Sequence, residues 1–134
     1  MGKITAIEGI GSIYGAKLQE LGIRTTGDLL TQGATPQGRR ELARQLGVDE
    51  QRLLRWINRA DLFRVKGIGR QYSDLLEAAG VDTVPELAQR NPDNLHARLV
   101  EVNRARKLVR QLPTPRMVRL WVEQARRLPR AIQY

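Results

Sequence analysis

The sequence predicts an all-α fold in which one helical unit is written twice. Apolar residues recur at helical spacing along most of the 134 residues, and no alternating run of β-branched residues exceeds four positions. The triplet Gly-Ile-Gly occurs at residues 9–11 and again at 67–69, and the residues after each triplet follow one skeleton. A chain of this length has the size of one compact domain. The expectation is a single domain over residues 1–134, made of internal repeats 1–64 and 65–128 related by a pseudo-twofold.

The first helix is expected over Ser12–Leu21, where Tyr14, Leu18 and Leu21 form one stripe and Gly22 follows as a stop. Thr25 with Asp28 three residues later has the spacing of a capping box and starts a short helix ending near Gly33. Thr35-Pro36 opens the next, with Leu42 and Leu46 on one face and Gly47 at its end. Asp49 caps a fourth, in which Leu53, Ile57 and Ala60 recur at helical spacing.

The pattern then begins again. Tyr72, Leu76 and Ala79 take the places of Tyr14, Leu18 and Leu21, while Gly80 and Val81 take those of Gly22 and Ile23. Thr83 to Glu86 repeats the capping signature of Thr25 to Asp28. Asn91-Pro92 starts a longer helix with Leu95, Leu99 and Val102 inward, and Thr114-Pro115 opens the last, with Val118, Trp121, Val122 and Ala125 on one side. The tryptophans correspond as well: Trp56 and Trp121 are each followed by a β-branched residue and, four positions on, by alanine.

In both copies an apolar residue, Ile7 or Val65, precedes the triplet with one residue between, and a helix follows at once. Glycines there allow positive φ and close backbone approach, while the central isoleucine enters the core. The second glycine delivers the chain to a helix N-terminus, where free N–H groups and the helix dipole favour an anion. Gly15 and Ser73, four positions beyond that glycine, are small enough for two helices to meet at a tight turn. This is the helix-hairpin-helix pattern. It nominates Gly9, Ile10, Gly11 and Ser12 in the first copy, and Lys66, Gly67, Ile68, Gly69 and Arg70 in the second, as residues that meet a nucleic-acid phosphate. A dinucleotide fingerprint is the competing reading of "GIGSIYG", with Asp28 about 20 residues on. It fails because no strand precedes the first triplet and the second copy, "GIGRQYS", lacks the third glycine.

Charge supports a polyanionic partner. The net charge of +9 is uneven: +3 over residues 1–64, −2 over 65–89 and +8 over 90–134. Arg119, Arg126 and Arg127 in the last helix are expected to extend the phosphate footprint. The chain has no cysteine, which excludes disulfides and thiolate metal sites and suits a reducing cytoplasm. Its start is too interrupted for a signal peptide and no apolar run reaches membrane length, so a cytoplasmic location without membrane association is expected.

The whole chain, through "LLRWINRADLFRVKGIGRQYSDLLEAAGVDTVPELAQRNPDNLHARLVEVN" and the ending "WVEQARRLPRAIQY", resembles a bacterial and archaeal domain-of-unknown-function family within the wider helix-hairpin-helix group. The resemblance spans nearly all residues and is most specific from Trp56 to Asn103. It implies an all-helical tandem helix-hairpin-helix fold and the group's habit of holding DNA through hairpin amides, with no established activity. The chain departs from that family along the last two helices. Relatives mix Glu and Lys where this sequence has Arg104, Arg106, Arg116, Arg119, Arg126 and Arg127.

Catalysis finds little to work with. His96 is the sole histidine and falls on a helix flank, so histidine or cysteine dyads and multi-histidine metal sites are unavailable. Asp49-Glu50 reads as a helix cap, and Asp74, one turn from Glu77, as the partner of Arg70 in a surface ion pair. No enzyme, cofactor, metal or small-molecule substrate is expected. A helix-turn-helix around Gln51, Arg52 and Arg55 yields to a simpler reading as connector, because Leu53 and Trp56 must pack.

Two functions therefore compete. One is a module that binds the duplex DNA backbone without sequence specificity. The other is a protein-interaction scaffold whose hairpins only build the core and whose arginines meet an acidic partner. Lys66 and Arg70 favour the first, whereas Glu8 beside the first hairpin opposes it, since a carboxylate repels phosphate. The few aromatic residues disfavour single-strand binding by base stacking. One structural expectation follows from the incomplete first copy, which lacks a leading helix: the Trp121 helix should fold back beside the Ile7–Tyr14 region and close the domain.

Overall fold

The computed structural model describes residues 3–134. Eight α-helices lie among them: α1 (Ser12–Glu20), α2 (Thr26–Gln32), α3 (Pro36–Leu46), α4 (Glu50–Leu62), α5 (Arg70–Ala78), α6 (Val84–Ala88), α7 (Pro92–Arg106) and α8 (Pro115–Arg127). A 3-10 turn at Ile4–Ala6 precedes α1. One isolated antiparallel bridge, Lys3 with Thr25, is the sole strand-like pairing among the described residues. No helix is long and apolar enough to cross a membrane.

Local chemistry sets most of the helix starts. Thr25 accepts from Asp28 N–H at 3.0 Å while the Asp28 carboxylate accepts from Thr25 N–H at 3.2 Å, the reciprocal bonds of a capping box. Those backbone N–H bonds, with that of Arg24 foremost, hold the Asp28 carboxyl below its ordinary value. Thr35, Asp49, Thr83, Asn91 and Thr114 cap α3, α4, α6, α7 and α8 in the same way, each side chain accepting from an N–H of the first turn. Pro36, Pro92 and Pro115 occupy the first helical position, where a missing N–H costs nothing. Only α1 and α5 start without a side-chain cap: their N-cap residues are Gly11 and Gly69.

Two apolar clusters form the core. The first joins Ile4, Ile7 and Ile10 to Leu18, Leu29, Leu42, Leu46, Leu53, Trp56 and Ile57. The second joins Val65 and Ile68 to Leu75, Leu76, Leu87, Leu99, Val118 and Trp121. Helix α4 serves both, with Ile57 in the first and Leu62, five residues on, in the second. Gly33 lets α2 pack closely on α4, since a Cβ there would overlap the Ile57 side chain. Leu21, expected on the α1 stripe, ends that helix instead and is 40% exposed, whereas Ala79 at the matching place is buried.

The last helix does not close the molecule as the sequence suggested. Trp121 stacks obliquely on Tyr72, ring centroids 5.2 Å apart, and belongs to the second cluster. The Ile7–Tyr14 region instead receives Trp56, 5.3 Å from Tyr14. The reason lies in the seat an indole needs. Each Gly-Ile-Gly turn offers a tyrosine ring and a glycine without a Cβ, and each is filled by the tryptophan that follows it within its own cluster. Closure is made by the segment after α8. Ile132 is buried in the first cluster, Gln133 N–H donates to Ala34 O at 2.7 Å, and Arg39 donates to Gln133 O at 2.7 Å.

Candidate nucleic-acid interface

The two Gly-Ile-Gly turns have one geometry. Gly9 and Gly67 have φ of +94° and +95°, a backbone that L side chains rarely adopt. A Cβ would also stand 3.0 Å from the Trp56 Nε1 at the first and 3.2 Å from the Trp121 Nε1 at the second. Ile10 and Ile68 are buried, each turn being pinned to its own cluster. The first glycine and the isoleucine are therefore explained by the fold.

The second glycine is not. Gly11 and Gly69 have φ of −87° and −111°, values any residue adopts, and nothing lies within 4 Å of the place a Cβ would occupy. Among the described residues, no protein group accepts from the N–H groups of Gly11 and Ser12, or of Gly69 and Arg70. Both turns thus present open space above a helix N-terminus whose donors point outward. Gly15 and Ser73 lie buried behind, the Ser73 hydroxyl donating to Arg70 O at 2.9 Å.

The charged side chains are arranged differently from their expected roles. Arg70 does not pair with Asp74. It reaches across to Glu8 of the first turn at 2.8 Å, because it stands at the first position of α5 and points away from the helix body. Asp74, one turn later, faces α4 and pairs with Arg59. Arg59, buried to 5% exposure, also grips Glu77 at 2.8 Å, and Arg55 adds a longer contact to Glu77 at 3.4 Å. Burial pushes the Glu77 carboxyl up, but Arg59 and then Arg55 outweigh it and hold it below its ordinary value. Burial likewise opposes the Arg59 charge, and its carboxylate partners outweigh that too.

Of the last-helix arginines, Arg127 lines a groove with Lys66 and Gly67. Arg126 is engaged elsewhere, donating to Ala88 O at 3.1 Å and to Arg90 O at 3.5 Å. It ties α8 to the end of α6. Arg119 is exposed on α8. The exposed Lys66 ammonium has no ion-pair partner among the described residues, and its backbone N–H donates to the Gln124 side chain at 2.7 Å. His96 sits on its helix flank with Nε2 3.0 Å from Pro113 O.

Sequence reasoning missed Arg110 at the second turn, and it weighed Arg52 only as a helix-turn-helix residue and not as a neighbour of the first turn. Arg110, in the connection between α7 and α8, shares a second groove with Gly67, Gly69 and Arg70, and Tyr72 fixes that connection by donating to Gln111 O at 3.1 Å. No periodicity in "KLVRQL" signals this. Arg52 lies over the Tyr14 ring at 5.0 Å and the Trp56 ring at 5.3 Å, so its guanidinium stacks beside the first turn and does not present a recognition surface. The cleft there, lined by Glu8, Arg52, Arg55, Trp56 and Glu77, encloses 230 Å³, below the roughly 300 Å³ at which small-ligand clefts begin.

Comparison with curated proteins and with solved structures finds no match. A family model does match, over residues 8–128, which takes in both glycine turns, both tryptophans and all eight helices. The chain belongs to the family described as Domain of unknown function (DUF4332).

Proposed function

We propose that the protein is a non-enzymatic, tandem helix-hairpin-helix module that binds the backbone of duplex DNA without sequence specificity. In this reading residues 1–64 and 65–128 are duplicated units related by a pseudo-twofold, with α1 and α5 as the helices that follow each hairpin. One observation carries it: Gly11 and Gly69 are glycines the fold does not need, at the two helix starts that have no side-chain cap. A phosphate oxygen approaching the N–H groups of Gly69 and Arg70 requires that open space, and the helix dipole favours it. The second hairpin is the stronger of the two, since Lys66, Arg70, Arg110 and Arg127 surround it. Arg70 is held by Glu8 in a surface pair more than half exposed, worth at most about 1 kcal/mol, which a phosphate can displace.

The test is titration with duplexes of unrelated sequence at several salt concentrations. Affinity should vary little with sequence and fall with a log–log slope of about −0.9 per phosphate neutralised. Gly69→Ser separates function from fold. Serine is a good N-cap and the site has room for it, so the melting temperature should hold or rise as its hydroxyl accepts from the N–H of Gln71 or Tyr72, while the side chain stands in the open space a phosphate oxygen needs to reach the Gly69 and Arg70 N–H groups and affinity drops. If the protein binds no duplex even at low salt, the hairpins are structural and the basic surface serves an acidic protein partner.

A further inference from the structure

We propose that the groove on the other side of Gly67 takes a second phosphate of the same DNA strand, with the Trp121 indole N–H, the Lys66 ammonium and the Arg127 guanidinium as its donors. The inference rests on the duplex-binding reading and adds a contact that the hairpin amides do not make.

The starting point is an unmet donor. Trp121 is 3% exposed, and a buried indole N–H ordinarily finds an acceptor. Its Nε1 has none among the described residues. It lies instead against the bare face of Gly67, 3.2 Å from where a Cβ would be. Nor is the atom sealed off. Thr26 Oγ1 is the sole buried side-chain polar atom, among the described residues, that is both closed to solvent and unpartnered. The indole N–H therefore opens into the groove of 410 Å³ formed by Lys66, Gly67, Met117, Leu120, Trp121 and Arg127.

The chemistry of that groove suits a phosphodiester. Two cations and one neutral N–H donor converge beside Gly67, against the single carboxylate of Glu123. Met117 and the half-exposed Leu120 supply an apolar wall of the kind a deoxyribose can lie on. Gly67 also borders the groove that holds Gly69, Arg70 and Arg110. A strand crossing the turn thus meets the helix N-terminus on one side and the indole on the other. The first hairpin has the same indole against Gly9, but its cleft holds Glu8 and Glu77 and is little more than half the volume, so it serves as an internal comparison.

The experiment follows the two indole N–H resonances of ¹⁵N-labelled full chain, assigned with Trp56→Phe, during titration with a short mixed-sequence duplex at low salt. The Trp121 signal should move downfield with saturation and the Trp56 signal should stay. Trp121→Phe, folded as judged by its spectrum, should bind about tenfold more weakly, and Lys66→Gln and Arg127→Gln should each reduce the salt slope by about one. Should Trp121→Phe fail to fold, the wild-type resonance decides alone. Duplex binding that moves the Gly69 and Arg70 amides but leaves the Trp121 indole unmoved overturns this proposal and leaves the duplex-binding reading standing. Absence of any binding overturns both.

Discussion

At the scale of the residue, the two glycines of one triplet do different work. Gly67 is required by the fold: its φ of +95° and the nearby Trp121 indole both exclude a side chain. Gly67→Ala should therefore cost about 1–3 kcal/mol in urea unfolding and shift tryptophan emission as the indole is displaced. Gly69 carries no such constraint, and its alanine variant should lose no more than about 1 kcal/mol, the difference between glycine and alanine as N-cap residues. The sequence announced a turn at both but could not divide the roles, because the division depends on a tryptophan 54 residues away from Gly67. Thr26 is a second case of local ambiguity. It reads as a helix-start residue, yet it is fully buried at the first position of α2 with its hydroxyl unpartnered, and Val84 holds the same position in α6. Thr26→Val removes the orphaned hydroxyl at nearly constant shape. It should stabilise the protein by about 1 kcal/mol, read as a higher urea midpoint at unchanged slope.

At the scale of the element, helix starts were legible because they are written in short-range chemistry. Thr25, Thr35, Asp49, Thr83, Asn91 and Thr114 cap where their spacing said they would. What joins one helix to another was not legible. Arg59 stands next to Ala60 in the apolar stripe of α4 and reads as a solvent-face residue, but it is buried between Asp74 and Glu77 of α5. Arg70, four residues before Asp74, looked like the local partner and is committed to Glu8. Spacing along one helix cannot reveal that two carboxylates face another helix. Removing Arg59 should be costly, because it leaves both carboxylates partly buried and facing each other. Arg59→Met should lose about 2–3 kcal/mol at pH 7, less than a fully buried pair because solvent reaches Asp74 and Glu77. The pH dependence has a definite sign. The Glu77 carboxyl lies below its ordinary value in the folded state, so its contribution is fully present above the unfolded glutamate range, near pH 4.3, and is lost as pH falls through the folded value. Wild type and Arg59→Met should thus converge in stability on acidification, and a gap that stays constant from pH 7 to pH 3 would count against the ion-pair account.

At the scale of the whole molecule, the need for a closing element was legible and its identity was not. The sequence pattern led to the expectation that a helix from the far end returns to the first glycine turn, with the Trp121 helix as the apolar candidate. The returning element is instead the aperiodic segment after α8, which no pattern in "LPRAIQY" marks as structural. It runs back over the first cluster: Arg64 donates to Pro129 O at 2.6 Å, Arg39 bridges Gly33 O and Gln133 O, and Tyr134 donates to Asn58 at 2.8 Å. Ile132 is its one fully buried apolar anchor, among Ile4, Leu29, Leu30 and other first-cluster side chains. The consequence is an asymmetry of stability. The first cluster depends on residues far along the chain, whereas the second is built from Leu62 to Leu128 alone. Ile132→Ala should cost about 2–4 kcal/mol, the range for emptying a buried isoleucine site. Hydrogen exchange should show where. Amides of α2, α3 and α4 should lose protection by an order of magnitude or more, while those of α7 and α8 change little, because local opening follows the contacts removed. Equal loss of protection in every helix would mean that the two clusters open together, and the strap would then stabilise the molecule as one cooperative unit and not its first half.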